Sequence, residues 1–382
     1  MNQGRPGHLP LAWPLALLLV GLVVYASLYP FSGWRSQGHN PWAFLWAPWP
    51  QYWTGFDAWV NFIGYLPLGM LFMLAFSRHV GTWVSWLFAV VLVAGLSLSM
   101  ELAQTYLPSR VTSQMDLALN AGGALVGATL GALLVVLGWR DRFTLWRTEW
   151  LVGQTRGGVV LLLLWPFAAV YPAPVPFGVG QAWPPAEAWL RDLLADTPFL
   201  PLLPQSADAV PLSALTELVV VCLSVWATLL LGYALLRRVW QRVAFLAVWA
   251  GLVLGVGALS AALTYGPVHA WAGFTPAVSM GLMVAGGLGL LSLGLAHRLC
   301  AVLMLLALTY ALGLLNRAPE IPYFAQSLQV WEQGRFIHFH GLTQWLSWLW
   351  PYVALVVGVR LALRPGGAAG GAGGTAIGGH YN

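Results

Sequence analysis

Residues Leu212–Leu236 read LSALTELVVVCLSVWATLLLGYALL, an apolar run with a single charged residue, Glu217. A helix needs about 20 predominantly apolar residues to cross a bilayer, and this run is long enough to do so. Similar runs recur along the 382-residue chain, of which 59% is hydrophobic and 8% is charged. An ordinary soluble domain carries about 25% charged residues. The sequence therefore excludes a cytosolic enzyme, a secreted domain and a disordered chain, and it predicts a multi-span membrane protein.

The predicted fold is all-α, a polytopic transmembrane helical bundle of about ten spans. The first span has some features of a signal peptide, with Arg5 before it and a weak cleavage site at Val24-Tyr25-Ala26. Its apolar run is longer than a usual signal core, so we expect it to remain as a helix. The predicted spans are Leu11–Pro30, Ala58–Ser77, Trp83–Ala103, Asp116–Gly138, Gly158–Tyr171, Leu212–Leu236, Val243–Thr264, Thr275–Ala296, Leu299–Leu315 and Gly341–Leu363.

The distribution of arginine predicts that both termini are cytoplasmic. The chain has no lysine, and cytoplasmic loops of membrane proteins carry an excess of basic residues. With the N-terminus in the cytoplasm, 12 of the 17 arginines fall on the cytoplasmic side and 5 on the outer side. The arginines are scattered between apolar runs rather than clustered, so we expect no nucleic-acid partner.

The composition divides the chain into a four-span unit, a cytoplasmic loop, a six-span region of unknown role and a flexible Gly/Ala-rich tail. Two long outer segments are distinctive: residues 31–57 are rich in tryptophan, and residues 172–211 are rich in proline with a predicted short helix around Pro185–Ala195. The boundaries of the four parts are 1–140, 141–157, 158–364 and 365–382.

Polar residues cluster at the outer ends of the third and fourth spans. Glu101 and Gln104 are three residues apart, and Asp116 and Asn120 are four apart, so each pair shares one helix face. Arg110 lies in the short loop between these spans. Ionisable residues in a span cost about 2.5–3.5 kcal/mol each at the bilayer centre, so their retention needs an explanation.

The second span adds Asn61 and Tyr65 on one face near its outer end, preceded by Asp57. Under the predicted topology all these side chains converge at the outer leaflet. The residues predicted to bind a ligand are Glu101, Gln104, Arg110, Asp116, Asn120, Asn61 and Tyr65.

Three roles for the charged residues of this set remain open. Arg110 can bridge Glu101 and Asp116 as a structural ion pair, or it can hold a phosphate or an anionic headgroup. Asp116 can also serve only as an N-cap or a partner of the helix dipole.

Small residues predict close helix packing in the same region. Gly123, Gly127 and Gly131 recur every four residues along the fourth span, which lets a neighbouring helix approach closely. We expect the second span to be kinked or closely packed as well. The residues responsible there are Gly64, Pro67 and Gly69.

The order of these motifs resembles the VanZ-like family of integral membrane proteins. The similar pattern runs from Asn61-Phe62-Ile63-Gly64-Tyr65-Leu66-Pro67-Leu68-Gly69 through Glu101-x-x-Gln104 and Arg110 to Asp116, Asn120, Gly123 and Gly127, within residues 57–138. One departure is that Asp57 and Asn61 stand where many relatives have a charged residue and a histidine.

The resemblance implies a multi-pass protein of the bacterial inner membrane, surrounded by membrane lipids. The family's namesake is associated with low-level teicoplanin resistance, which implies a cell-envelope component or a lipid-linked cell-wall precursor as ligand. The family has no settled biochemical activity, so the resemblance does not predict an enzyme.

Three functions are consistent with the sequence. They are binding or modification of a lipid-linked or cell-envelope component at the outer leaflet, transport or lipid flipping, and a non-catalytic membrane scaffold. Glu217 is a candidate for a transport path. We expect no cofactor and no metal. His338-x-His340 near Glu332 is an outer-side pattern that more often reflects packing beside aromatic residues than a metal site, and Cys222 and Cys300 are expected as buried thiols.

Overall fold

The computed structural model of the protein describes residues 12–29, 31–38, 40–49, 55–153, 156–203, 212–318 and 337–363. These residues form twelve α-helices and no strand, apart from one isolated backbone pairing of Leu151 with Leu236. Short 3-10 turns cover Ala43–Trp46, Leu200–Leu202 and Pro267–His269. The helices are α1 (Ala12–Leu28), α2 (Gly55–Phe76), α3 (Thr82–Gln104), α4 (Gln114–Val136), α5 (Trp139–Trp150), α6 (Arg156–Val170), α7 (Trp183–Leu194), α8 (Ala214–Leu235), α9 (Val239–Tyr265), α10 (Pro276–Leu291), α11 (His297–Leu315) and α12 (Ile337–Ala362).

The all-helical prediction is confirmed, and each of the ten predicted spans overlaps one helix. Seven of these helices are long and apolar enough to cross a membrane, namely α2, α3, α4, α8, α9, α11 and α12. The apolar helices α1, α6 and α10 are shorter than 18 residues. The protein is therefore a multi-pass membrane protein, while the count of ten spans and the side on which the termini lie remain predictions.

Predicted and observed helix ends differ most at α10. This helix ends at Leu291, whereas the sequence predicted an end at Ala296. The Ser292 hydroxyl donates to the carbonyl of Leu288, and Arg242 donates to the carbonyls of Leu293 and Leu295. These bonds satisfy the carbonyl groups that a continuing helix would have paired, so the chain turns here.

Helix α5 occupies most of the predicted cytoplasmic loop 141–157, where the sequence analysis expected no helix. This helix carries the sequence WRDRFTLWRTEW, which is too charged to register as an apolar run. Trp150 packs on Trp146 with ring centroids 5.5 Å apart and on Trp240 of α9 at 4.9 Å. Charged and aromatic residues mixed at helical spacing are typical of a helix lying in the membrane interface.

The short helix expected around Pro185–Ala195 is confirmed as α7. It begins at Trp183, with prolines in its first turn. Proline is favoured there because the backbone N–H that it lacks would have no intrahelical partner.

The described hydrophobic core consists of two clusters of buried residues. One joins α1 to α4 around Leu68, Phe72 and Met73. The other joins α6 and α8–α12, with α8 at its centre, since 78% of the most apolar part of α8 is buried. α1 also contacts α12, where a side-chain carbon at Gly341 would overlap the Tyr25 hydroxyl.

Contacts along α3 and α4 show that these helices are antiparallel. Asn120 in the first half of α4 meets Ser97 near the end of α3, and Thr129 further along α4 meets Trp86 near the start of α3. This alternation agrees with the order of the predicted spans.

Candidate functional site

The buried face of α3 turns Glu101 towards the other helices. The buried residues Ser85, Ala89, Val93, Ser97 and Glu101 recur at intervals of four, and Glu101 is only 4% exposed. The opposite face of α3 is exposed and apolar. Because lipid solvates apolar side chains well, a membrane helix can direct its small and polar residues inward, as α3 does.

Ser113 connects Glu101 to the start of α4. Its backbone N–H donates to Glu101 Oε2 at 3.0 Å, and its hydroxyl accepts from the N–H of Met115 at 3.1 Å. Ser113 is therefore the N-cap of α4, and Asp116 lies in the first helical turn, where a negative charge complements the helix dipole.

Asp116 joins α4 to α2 through an amide. Asn61 Nδ2 donates to Asp116 Oδ1 at 2.8 Å. Glu101 interacts electrostatically with Asp116 and with Arg110, so the two carboxylates and the guanidinium belong to one local charge system.

Asn120 lies deeper in the same group and is 5% exposed. Its Nδ2 donates to Ser97 Oγ at 2.9 Å, while its Oδ1 is buried without a hydrogen-bond partner. The Tyr65 side chain lies beside those of Ser97 and Ser27. The cluster thus contains one buried acceptor that no described group satisfies.

Arg110 and Gln104 are directed towards the end of α1. Arg110 Nη2 donates to the carbonyls of Ala26 at 2.7 Å and Tyr29 at 3.0 Å, and Gln104 Nε2 donates to that of Ser27 at 3.0 Å. Burial lowers the pKa of the Arg110 guanidinium, and the nearby Glu101 charge opposes that shift. One function of Arg110 is therefore to satisfy the last carbonyls of α1.

The close approach of α2 and α4 holds the cluster together. A Cβ added at Gly123 would overlap the carbonyl of Phe62, and one at Gly127 would overlap the carbonyl of Leu66. Matching positions advance in the same direction along both helices, so α2 and α4 are parallel.

Of the other three glycines predicted to lie at close helix contacts, two do so and one does not. A Cβ at Gly69 would overlap the backbone of Ala124, and one at Gly131 would lie 3.0 Å from Met73 Cγ. Gly64 departs from the expectation, because its added Cβ would meet no atom within 4 Å. The residue lies on the exposed side of α2, which continues through Pro67.

The seven predicted ligand-binding residues therefore lie in one region, at the α3–α4 hairpin and the facing parts of α1 and α2. We call Asn61, Tyr65, Ser97, Glu101, Asp116 and Asn120 the polar cluster. It offers two carboxylates and an unpaired amide oxygen, which suit a ligand with hydroxyl or N–H donors.

In the part of the chain that the structure describes, no group of His, Cys, Asp and Glu residues is arranged to hold a metal ion. Several residues considered from the sequence fall outside that part. They include Arg5, Glu332 and the side chains of Asp57, His338 and His340.

Comparison with known protein families gives a match in the N-terminal part of the chain. Residues 13–136 match the model of the VanZ/LLP1 family. These residues form a VanZ-like unit. It comprises α1–α4, ends with the last residue of α4 and covers about a third of the chain. The match confirms the resemblance to the VanZ-like family that the sequence motifs indicated. No curated protein and no solved structure matches the chain.

Sequence reasoning did not assign a role to Ser113 or to the end of α1. A signal for Ser113 was present, because a serine three residues before an acidic residue is typical of a helix start. The carbonyls of Ala26, Ser27 and Tyr29 had no such signal, since any residue type supplies a carbonyl.

Proposed function

We propose that the VanZ-like unit binds the polar part of a cell-envelope component, such as a lipid-linked cell-wall precursor, at the outer leaflet of a bacterial inner membrane. The observation that carries this proposal is the buried polar cluster between helices that are apolar enough to span a membrane. Ionisable residues in such helices are costly and usually functional.

The chemistry of the cluster supports a ligand rich in donors. Glu101 has one hydrogen bond from a backbone N–H, and Asn120 Oδ1 has no partner. Sugar hydroxyls and peptide amides are donors that complement such acceptors. Arg110 adds a positive charge beside them, which suits a phosphate in the linkage to the lipid.

The packing of the glycine-rich faces favours this function over a scaffold. The backbone of α4 at Gly123 and Gly127 is already covered by α2 of the same chain. These faces are therefore used inside the VanZ-like unit and do not offer a docking surface to a partner helix.

Native mass spectrometry of the full chain in mild detergent tests the proposal. We expect a discrete lipid or phosphate-bearing adduct on the wild type and its loss from the Glu101→Gln/Arg110→Ala/Asp116→Asn variant. The matched control carries the same three kinds of change on α7, as Glu187→Gln/Arg191→Ala/Asp192→Asn, and should retain the adduct.

A single substitution separates ligand loss from misfolding. Asp116→Asn keeps an acceptor for Asn61 and removes only the charge, so we expect a folded protein that holds less of the adduct. An adduct that is equally abundant on the wild type and on both cluster variants would contradict the proposal, as would a folded wild type with no adduct.

In cells, the proposal predicts an effect of this protein on susceptibility to teicoplanin. We expect bacteria expressing the wild-type chain to tolerate more teicoplanin than bacteria expressing the Glu101→Gln variant at equal membrane abundance. Equal susceptibility would separate this protein from the resistance phenotype of the family's namesake.

A further inference from the structure

A cavity of about 390 Å³ lies in the C-terminal region, outside the VanZ-like unit. Its walls come from the proline-rich residues 171–176, the first turn of α8, the last turns of α9 and the connection from α9 to α10. Sites for small organic molecules typically enclose about 300–1,000 Å³. Under the predicted topology this cavity lies on the outer side of the membrane.

Aromatic side chains form much of the wall. Tyr171, Phe177, Tyr265 and Phe274 all line the cavity. The rings of Phe177 and Phe274 have centroids 6.4 Å apart, and Trp165 stacks behind Phe177 at 6.3 Å. The faces of aromatic rings carry negative electrostatic potential and attract organic cations.

A strained backbone conformation and a glycine hold two of these rings in position. Phe177 has a φ of +63°, a left-handed backbone conformation that is unusual for a bulky residue. A Cβ at Gly257 of α9 would lie 2.7 Å from Phe177 Cζ and 2.8 Å from Phe274 Cζ. A bare backbone at Gly257 is therefore needed for both rings to occupy these positions, and strain of this kind concentrates at functional sites.

One carboxylate lines the same cavity. Glu217 of α8 accepts a hydrogen bond from Thr275 Oγ1 at 3.3 Å. None of the residues described as lining the cavity is an arginine, and the chain has no lysine. The other ionisable lining side chains are His269 and the two tyrosines. The lining therefore favours a positively charged ligand.

We propose that this cavity binds a small organic cation, an amine or quaternary ammonium group with an apolar substituent. Glu217 is the counter-ion, and the four aromatic rings surround the cationic head and its substituent. The site shares no residue with the polar cluster, so it stands independently of the function proposed for the VanZ-like unit.

Equilibrium dialysis of the full chain in a neutral detergent tests this proposal, with benzyltrimethylammonium as the probe. We expect saturable binding of this cation and much weaker binding of benzyl alcohol and benzenesulfonate, which are matched neutral and anionic probes. Glu217→Gln should weaken binding of the cation about tenfold, because a charge-assisted contact is lost.

A matched control and a second variant keep the result interpretable. Asp192→Asn removes an exposed carboxylate on α7, outside the cavity, and should leave the affinity unchanged. Thr264→Leu adds bulk at the wall and should weaken binding of the cation. Absence of saturable binding by the folded wild type would overturn the proposal, as would equal affinities for all three probes or no effect of Glu217→Gln.

The source of the cation is decided by competition in bilayers. In phosphatidylglycerol bilayers the protein should bind the probe. If phosphatidylcholine in the bilayer displaces the probe, a lipid headgroup occupies the site. If it does not, the site takes a free organic cation, and both results support a cation site.

Discussion

Asn120 and Ser97 form a buried polar contact between α3 and α4 within an apolar bundle. The amide donates to the hydroxyl at 2.9 Å, and both side chains are almost fully buried. Lipid offers no replacement partner for a donor that loses its acceptor. Contacts of this kind therefore favour one arrangement of the helices over others.

Removing the Ser97 hydroxyl should destabilise the VanZ-like unit. Ser97→Ala leaves Asn120 Nδ2 buried without its acceptor, and we expect a loss of about 1–2 kcal/mol in the free energy of unfolding. The measurement is equilibrium unfolding of the full chain in mixed detergent micelles.

Ser99→Ala is the control for this change. Ser99 is exposed, and its hydroxyl donates to the Gly95 carbonyl of its own helix. We expect a change below about 0.5 kcal/mol there. Equal losses in the two variants would show that the interhelical contact does not stabilise the fold.

Arg110 and Arg242 show a second use of buried polar groups. Arg110 donates to carbonyls at the end of α1, and Arg242, which is buried, donates to carbonyls just after α10. Both guanidinium groups satisfy chain carbonyls at a helix end, where the dipole favours a positive charge. Such a role is independent of any ligand.

At the scale of helices, the pairing of α2 with α4 depends on residues without side chains. Gly123 and Gly127 lie against the backbone of α2, so the two helices approach more closely than any larger residue allows. Dispersion forces and packing replace the hydrophobic effect as the attraction between helices in lipid, and both need close contact.

Gly127→Ala should destabilise the protein, because the new Cβ would overlap the Leu66 carbonyl. We expect a loss of about 1–3 kcal/mol, the usual cost of overpacking. Thermal unfolding of the full chain, followed by helical circular dichroism, measures it.

Gly64→Ala is the matched control in α2. Its Cβ would meet no atom within 4 Å, so we expect no loss of stability and a gain of up to about 1 kcal/mol from the higher helix propensity of alanine. A Gly127→Ala protein as stable as the control would contradict the close packing of α2 and α4.

At the scale of the whole molecule, the alternation of helices accounts for where the two candidate sites lie. The polar cluster is formed at the α3–α4 hairpin, and the cavity beside Glu217 is formed where α9 leads to α10. Under the predicted topology both are on the outer side, while the Arg-rich α5 is on the cytoplasmic side.

Labelling of single cysteines in intact cells should verify this topology. Cysteine at Ser109 in the α3–α4 loop or at Asp192 on α7 should react with a membrane-impermeant maleimide. Cysteine at Arg142 on α5 should react only after permeabilisation. All three positions are exposed, and the native Cys222 and Cys300 are buried, so the background should be low.

The reverse labelling pattern would invert the predicted orientation. It would place the polar cluster and the cavity on the cytoplasmic side, and it would remove the support for an outer-leaflet ligand. Labelling of all three positions in intact cells would mean that the reagent enters the cells. Labelling of a cytoplasmic marker protein in the same cells monitors this leakage.

The sequence by itself determined the class of the protein, the apolar helices and the family of the N-terminal unit. Apolar runs of bilayer length locate helices because lipid cannot satisfy exposed backbone groups. The motif from Asn61 to Gly127 identified the VanZ-like unit because the order and spacing of its residues match the pattern of that family. The amphipathic α5 escaped this reasoning, since its mixed sequence gives no apolar run.

Only the tertiary structure decided which side chains meet. The contacts of Arg110 with α1 carbonyls depend on how α1 docks, and a carbonyl carries no residue-specific signal in a sequence. Glu217, His269 and Phe177 are far apart along the chain and line one cavity because α8, α9 and the proline-rich segment pack together. Sequence periodicity reports which face of a helix is apolar, whereas the identity of its neighbour depends on packing between distant segments.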